Sequence, residues 1–266
     1  MPTVGRLRYL ESVPRGTGRA RGTLVLLHAF PLNARMWEPQ LALADHGWRV
    51  LAPQFRGCDG DNADPPAVSV DDYTGDVIDL LDALHVEDAV IGGLSMGGYT
   101  ALAIFRHAPR YVRGLILADT RSQADTLEAA EGRARMLKLV AERGPSAIAD
   151  EMIPKLLGES TRARRPEIVE RVRSLVLANS PQSIAGAVRV LMTRPDSTPL
   201  LAQIHCPTII LVGDEDTMTP RALAEEMHGR IAGSELAVVT GAGHLSSLEQ
   251  PAAFNDALAR FLTHRV

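Results

Sequence analysis

Short runs of apolar residues alternate along the chain with segments of helical periodicity, and this alternation constrains the fold more than any other feature. Residues 23–28 read TLVLLH, and similar runs occupy residues 112–118 and 207–212. An unbroken apolar run is typical of a strand that is buried on both faces, as in a parallel sheet. Strands that alternate with helices form such sheets, with helices packed on both sides, so the sequence predicts an α/β fold. The predicted strands are 7–11, 23–28, 48–52, 89–91, 112–118, 207–212 and 236–239, with residues 7–11 at an edge.

Helices are predicted where apolar residues recur every three or four positions. Residues 70–84 show this pattern most clearly, because Ser69 offers an N-cap and Asp72 stands three residues later, as in a capping box. The other helices predicted between the strands are 34–44, 96–107, 221–227 and 251 to the C-terminus.

The alternation stops between residues 120 and 195, where four helical patterns follow one another with no strand between them. The first pattern ends at Gly144, and the third begins at Pro166, a residue favoured in the first turn of a helix. We therefore predict a core domain of residues 1–119 and 196–266, interrupted by a helical cap at residues 120–195. The basic residues Arg162, Arg164 and Arg165 are predicted to lie at an exposed turn within the cap.

Composition excludes several classes of function. Lys and Arg total 28 and Asp and Glu total 32, so the net charge of −4 provides no positive field for general nucleic-acid binding. Two cysteines exclude a disulfide framework and a zinc site of four thiolates, and no other pattern indicates a metal or a cofactor. The sequence shows no signal peptide. The uncharged segment of residues 89–105 approaches the length of a membrane span, but its two pairs of glycines disfavour a helix, so we expect a cytoplasmic protein without a membrane partner.

Residues 93–97 fit the pattern G-x-S-x-G, with Ser95 at the centre, and lie between a predicted strand and a predicted helix. A sharp turn from strand to helix holds its central residue in a strained conformation and exposes that side chain above the sheet. The alternative is a glycine-rich turn that buries an ordinary serine. The position between strand and helix favours Ser95 as a nucleophile.

A serine nucleophile needs a base within hydrogen-bonding distance and an acid that orients the base. Among eight histidines, His244 stands in a loop of small residues after the last predicted strand, where parallel sheets place their chemistry. Three acidic residues, 214–216, follow the strand before it. We prefer Asp216 as the acid because it lies at the apex of that loop, with Asp214 and Asp119 as alternatives.

Four motifs together resemble the α/β-hydrolase family of serine hydrolases, over residues 23–262. The motifs are residues 28–33, 92–99, 213–220 and 241–251, with Ala29 and residues 56–61 departing from the usual pattern. The resemblance implies a mostly parallel eight-stranded sheet with helices on both faces and a helical cap. It also implies that Asp216 is the acid and that the backbone N–H groups of Phe30 and Met96 form an oxyanion hole.

Within this family the chain looks most like small bacterial carboxylesterases and 3-oxoadipate enol-lactonase-like hydrolases. The resemblance implies hydrolysis of short- to medium-chain esters through an acyl-enzyme, without a cofactor. An enol-lactonase, a hydrolase of carbon–carbon bonds with the same triad, and a slow-turnover ligand sensor are the alternatives. Dehalogenases and epoxide hydrolases of this fold need an aspartate nucleophile, so Ser95 speaks against them.

The cap is expected to cover Ser95 with a mostly apolar pocket that suits an uncharged ester. Met152, Leu156 and Leu175 are candidates for its wall, although such a stripe at helical spacing is more often hydrophobic core. His28 is a further candidate for substrate binding, and its position indicates that it shapes the oxyanion loop rather than acting as a base. We expect a monomer or a weak homodimer.

Overall fold

The computed structural model describes residues 1–5, 7–15, 20–58 and 67–266, and eight strands of these residues form one sheet. The strands are β1 (Thr3–Val4), β2 (Leu7–Ser12), β3 (Thr23–Leu27), β4 (Arg49–Pro53), β5 (Ala89–Leu94), β6 (Val112–Ala118), β7 (Thr208–Gly213) and β8 (Glu235–Val239). Their order across the sheet is β1-β2-β4-β3-β5-β6-β7-β8. Strands β3 to β8 are parallel, and β2 pairs antiparallel with β1 and β4. The predicted α/β fold with a mostly parallel, eight-stranded sheet is confirmed.

The outer strand on the N-terminal side differs from the prediction. Residues 7–11 were expected at an edge, but β1 pairs with β2 and takes that place. A strand of two residues is too short to show any periodicity, so the sequence pattern could not reveal it.

The centre of the sheet explains the unbroken apolar runs. Every residue of β3, β5 and β7 is buried. Because successive side chains of a strand point to opposite faces, burial of all of them means that both faces of the sheet are covered. The carboxyl ends of these strands meet at one edge, and the loops that follow them carry the candidate site.

The helices of the described residues agree well with the predicted ones. They are α1 (Val70–Ala83), α2 (Met96–His107), α3 (Leu127–Leu156), α4 (Glu159–Arg164), α5 (Pro166–Leu177), α6 (Pro181–Thr193), α7 (Arg221–Arg230), α8 (Ser246–Glu249) and α9 (Pro251–His264). At the start of α1, Ser69 and Asp72 form the predicted capping box. None of the helices in the described parts of the chain combines the length and the apolar composition needed to cross a membrane.

The segment predicted as a helix at residues 34–44 is instead a series of 3-10 turns, Ala34–His46. Pro39 lies inside it, and proline removes a backbone donor and disfavours a continuous α-helix. The departure from the family pattern at residues 56–61 falls partly outside the described residues, since residues 59–61 are not described.

Helices α3 to α6, hereafter the helical segment, connect β6 to β7 without a strand between them. α3 packs against α5 and α6 and has a kink at Gly144, where the first helical pattern of the sequence ends. Of the three arginines predicted at an exposed turn, Arg165 lies between α4 and α5, whereas Arg162 and Arg164 are exposed but belong to α4. A helix of six residues has too few apolar positions to be recognised from its periodicity.

Candidate active site

Ser95 occupies the turn between β5 and α2 in an unusual backbone conformation, with φ 54° and ψ −111°. A positive φ is rare outside glycine and costs conformational energy. The backbone is held there from both sides, since Ser95 N donates to Ala118 O at 3.0 Å and Ser95 O accepts from Thr120 Oγ1 at 2.9 Å. The turn thus places Ser95 directly after the carboxyl end of β5, where its largely buried side chain lines a cavity.

Two glycines beside Ser95 allow the turn to pack tightly. A Cβ atom on Gly93 would overlap the backbone of Gly97, and a Cβ atom on Gly97 would overlap the carbonyl group of Leu27 on β3. The glycines of the G-x-S-x-G pattern are therefore required by close backbone contacts.

His244 and Asp216 are joined by a buried hydrogen bond of 2.8 Å between Nδ1 and Oδ2. The carboxylate also accepts bonds from Met218 N at 2.8 Å and from Thr219 N and Oγ1 at 3.0 and 2.6 Å. Burial raises the pKa of Asp216, but the charge and hydrogen bond of His244, with those from Thr219, outweigh it and lower the pKa to about 2. An ionised Asp216 fixes the ring so that Nδ1 carries a proton and Nε2 can accept one.

The neighbouring acids have other partners. Asp214 accepts from Gly241 N at 2.7 Å, and Glu215 accepts from Ser160 N at 2.9 Å. Asp119 accepts from Gly213 N at 2.8 Å and from the hydroxyl of Ser246, and burial, with the charge of Asp216, raises its pKa well above the usual range. Of the acids considered from the sequence, Asp216 is the one that bonds to His244.

The backbone around His244 is held by Glu249, a residue that sequence reasoning did not single out. Its Oε1 accepts from Gly243 N at 2.9 Å and from Leu245 N at 3.2 Å, on either side of His244. Its Oε2 accepts from Gly158 N, at the start of α4, at 2.8 Å. Glu249 therefore connects the histidine loop to the helical segment. It lies within the motif of residues 241–251, but nothing in that pattern indicated which backbone groups its carboxylate would reach.

Phe30 and Met96 come from different parts of the chain, since Met96 directly follows Ser95 and Phe30 belongs to the loop after β3. Met96 is the first residue of α2, so its N–H has no acceptor within the helix. Phe30 follows β3, and both residues line an apolar cavity of about 10 Å³. Phe30 also lines the cavity that contains Ser95, so the structure brings both predicted donor residues to the nucleophile.

His28 is fully buried below this loop, and both its ring nitrogens contact backbone groups. Nε2 accepts from Phe55 N at 3.2 Å, which leaves the proton on Nδ1, 3.1 Å from Ala29 O. Burial lowers its pKa from 6.5 to about 4, so the ring is neutral at pH 7. His28 is not among the residues that line either cavity at Ser95 or Met96, and its contacts support the loop instead of a substrate.

Ser95 and His244 line one cavity of about 40 Å³. Among the described residues, no hydrogen bond joins the Ser95 hydroxyl to His244, and Nε2 of His244 is buried without a partner. Catalytic hydrogen bonds are often long before a substrate binds. The nine residues of this wall are Phe30, Ser95, Tyr99, Arg121, Arg133, Leu191, Met218, Thr219 and His244.

The structure does not place Met152, Leu156 or Leu175 in this wall. All three are buried in the hydrophobic core, where α3 packs against α5. Their helical spacing therefore reflects contacts between helices, which was the alternative interpretation of that stripe.

Arg121 and Arg133 line the cavity and give it a polar side that the sequence analysis did not predict. Both bond to Asp125, at 3.0 and 3.2 Å, and Arg194 reaches the same carboxylate at 2.7 Å. The guanidinium group of Arg194 also lies 4.2 Å from the centre of the Tyr99 ring. Arg121, Asp125 and Arg133 are near one another in sequence, but Arg194 and Tyr99 are distant from them, and only the fold brings these two residues to the group.

Comparisons with known proteins agree with this geometry. Residues 24–257 match a family described as the alpha/beta hydrolase family. An enol-lactonase of Acinetobacter baylyi, 3-oxoadipate enol-lactonase 2, is 29% identical over 90% of this chain and 87% of its own.

Solved structures give the same result. An esterase from Thermogutta terrifontis, solved with malate bound, is 37% identical with a TM-score of 0.90, over 97% of this chain and 93% of its own. The enol-lactonase of Burkholderia xenovorans LB400 is 26% identical with a TM-score of 0.87, over 97% of this chain and 96% of its own. The match to the family model covers most of the chain, and the predicted resemblance is confirmed. The chain belongs to the α/β-hydrolase family.

Proposed function

We propose that the protein is a carboxylesterase that hydrolyses short- to medium-chain esters, with Ser95 as nucleophile, His244 as base and Asp216 as the acid that orients the base. One observation carries this proposal. The 2.8 Å bond from His244 Nδ1 to Asp216 leaves Nε2 as the accepting nitrogen of a ring that lines the same cavity as Ser95.

The proposed reaction has two steps. In the first step, Ser95 Oγ attacks the ester carbonyl carbon while His244 Nε2 takes the hydroxyl proton, and the same proton then leaves with the alcohol. The backbone N–H groups of Phe30 and Met96 donate to the negative oxygen of the tetrahedral intermediate. In the second step, a water molecule gives a proton to His244 and attacks the acyl carbon, and His244 then returns that proton to Ser95 Oγ as the bond from Oγ to the acyl carbon breaks, which releases the acid.

The second candidate is a lactonase. A lactone is a cyclic ester, so the same groups would open it by the same two steps, and the similarity to two enol-lactonases favours this candidate. The similarity to an esterase at 37% identity favours an open-chain ester.

We also propose that residues 120–195 act as a cap over a core of residues 1–119 and 196–266. α3 and α6 support this view, because they contribute Arg133 and Leu191 to the wall around Ser95. The cavity of about 40 Å³ has room for roughly three water molecules, which favours a short acyl group.

Steady-state hydrolysis of p-nitrophenyl esters from acetate to octanoate tests the proposal. We expect many turnovers, with the highest kcat/KM at short chains and a loss of roughly 10⁴-fold or more in kcat for Ser95→Ala. Near-normal turnover by Ser95→Ala would contradict the assignment of the nucleophile. A single slow turnover of the wild-type protein would instead favour a ligand sensor.

A further inference from the structure

The cavity at Ser95 contains two guanidinium groups and no carboxylate among the described residues of its wall. Arg121 follows β6, and Arg133 lies on α3, so two separate parts of the chain each bring a cation to the nucleophile. Asp216 lies behind His244 and does not reach the wall. A short, uncharged ester would offer these two cations no negative charge beyond that of Asp125, to which both already bond.

The charges of this cluster do not cancel. Three guanidinium groups, from Arg121, Arg133 and Arg194, surround the single carboxylate of Asp125. Three positive charges and one negative charge leave an excess of two positive charges beside the cavity. In a site that is largely shielded from water, such an excess attracts an anion more strongly than it would at the surface.

Asp125 holds the arginines in place. Its side chain is 4% exposed. Burial raises its pKa, but the charges and hydrogen bonds of Arg194 and Arg133 outweigh this effect and hold the pKa below its usual value. An ionised, buried carboxylate fixes the planes of the guanidinium groups, so little conformational entropy remains to be lost when a ligand binds.

Arg121 has a donor group left to satisfy. Its Nε is buried and has no acceptor among the described residues, which is also true of Arg194 Nε, but Arg121 is the one of the two that lines the cavity. A buried donor without an acceptor is destabilising, and a carboxylate of a ligand supplies acceptor oxygens to such a group.

We propose that the substrate of this site is a small ester or lactone that carries a carboxylate group, which Arg121 and Arg133 bind while the ester carbonyl lies at Ser95. This inference rests on the proposed function and names its substrate class. It replaces the uncharged ester and mostly apolar pocket expected from composition and hydropathy.

A purely structural role for the arginines accounts for less of the geometry. One arginine can satisfy a carboxylate through two parallel hydrogen bonds, and the Arg194 side chain, 3% exposed, already lies against Asp125. The two other side chains are 21% and 15% exposed, and these two line the cavity. The more accessible arginines are thus the ones that face a substrate.

Matched pairs of substrates test the proposal. Monomethyl succinate and methyl succinamate differ only in a carboxylate against a neutral amide on the acyl side. O-acetyl lactate and O-acetyl lactamide make the same comparison on the alcohol side. We expect kcat/KM to be about tenfold or more higher for the anion in at least one pair, as charge-assisted hydrogen bonds require.

Three variants show whether the arginines cause this preference. Arg133→Gln and Arg121→Gln should each move the anion-to-amide ratio of kcat/KM towards one, and Arg133→Lys should keep part of it because the charge remains. Arg135→Gln is the matched control, since Arg135 lies on the same helix with its side chain 72% exposed, and its ratio should equal that of the wild type. Thermal denaturation shows whether each variant is folded. If the variant at one of the two arginines does not fold, the variant at the other arginine still tests the proposal.

The outcomes separate this inference from the proposed function. If p-nitrophenyl acetate is hydrolysed but neither anion is preferred, or if the ratio survives both arginine variants, the carboxylate site is wrong and the esterase stands. If no ester is hydrolysed, the proposed function fails, and calorimetry on Ser95→Ala with succinate and succinamate decides the site. Succinate binding that Arg133→Gln weakens would support it, and equal or absent binding of the two probes would overturn it.

Discussion

At the scale of the residue, the backbone of Ser95 combines function with strain. A serine at φ 54° and ψ −111° has its Cβ atom in an unfavourable position, which costs of order 1 to 3 kcal/mol. Glycine has no Cβ atom and tolerates this region, although it also increases the entropy of the unfolded chain.

The strain predicts a difference between two inactive variants. Ser95→Gly should be more stable than Ser95→Ala by about 1 kcal/mol, measured as the free energy of unfolding in urea. Ser174, exposed on α5, is the control, because alanine should there be more stable than glycine by about 1 kcal/mol. Equal stability of the two Ser95 variants would mean that the turn is not strained.

The contacts of the acids predict which carboxylate supports catalysis. Asp216→Asn removes the charge that holds His244, so kcat should fall by roughly 10³- to 10⁴-fold. Asp214→Asn alters a carboxylate that accepts hydrogen bonds from the backbone of the histidine loop, at residues 241 and 242, so kcat should fall less than about tenfold. Esterase assays of the two purified variants make the comparison, and a larger loss at Asp214 would reverse the assignment.

His28 predicts how stability depends on pH. Its pKa is about 4 in the folded protein and has the ordinary value of 6.5 in the unfolded chain. Between these two pH values, the unfolded chain therefore binds a proton that the folded chain does not. Its contribution, of order 3 kcal/mol, is therefore complete above pH 6.5 and is lost as the pH falls towards 4. Urea unfolding across this range should show a shallower pH dependence for His28→Gln than for the wild type. Replacement of the exposed His46 by glutamine should leave the dependence unchanged.

At the scale of the element, α3 shows how one glycine shapes the helical segment. Gly144 has φ 71° and ψ −171°, a conformation open almost only to glycine, and it separates the two halves of the helix. Apart from its neighbours along the helix, none of the described residues lies within 4 Å of the position that a Cβ atom would take there, so the backbone angles and not the available space require glycine.

Replacement of two glycines of α3 by alanine should therefore have opposite effects on the free energy of unfolding. Gly144→Ala should lower the free energy of unfolding by about 1 to 3 kcal/mol. Gly132 lies in a regular part of α3 with only ordinary contacts, so Gly132→Ala should raise it by about 0.5 to 1 kcal/mol. Denaturant titration of both variants measures the difference, and a gain at Gly144 would show that the kink is not needed.

Regular elements with strong patterns were predictable, and contacts between distant elements were not. The sequence predicts α2 and β6 at their observed bounds. A helical period that ends before a proline defines α2, and a run of mostly apolar residues defines β6. β1 and α4 are too short to have a pattern, and they were missed. In the site, Ser95, Asp216 and His244 lie in local motifs that sequence can show. Arg194 and Glu249 act through partners far along the chain, which only the folded structure brings together.

At the scale of the whole molecule, the helical segment is attached to both loops beside Ser95. Gly158 N donates to Glu249 at 2.8 Å, next to His244. On the other side, Asn179 Nδ2 donates to Pro31 O at 2.7 Å, next to Phe30. Both bonds are buried, so separation of the segment from the sheet would break both of them at once.

These attachments predict that the chain unfolds in one cooperative transition. Both tryptophans, Trp37 and Trp48, are buried near the sheet, so their fluorescence reports on that part alone. Far-ultraviolet circular dichroism also reports on the helices of the helical segment. The two signals should give the same midpoint and slope in urea. Separate transitions would mean that the helical segment unfolds by itself.

The bonds from Gly158 and Asn179 also limit how this protein can be recombined with its relatives. A chimera that receives the helical segment of another hydrolase would keep its own two loops but lose the donors that hold them, unless the graft supplies a backbone N–H and a side-chain amide at the same places. Exchange of the segment alone would thus alter the histidine and oxyanion loops as well as the pocket wall. A transplant intended to change specificity should therefore retain these two positions and vary the residues of the segment that line the cavity, Arg133 and Leu191.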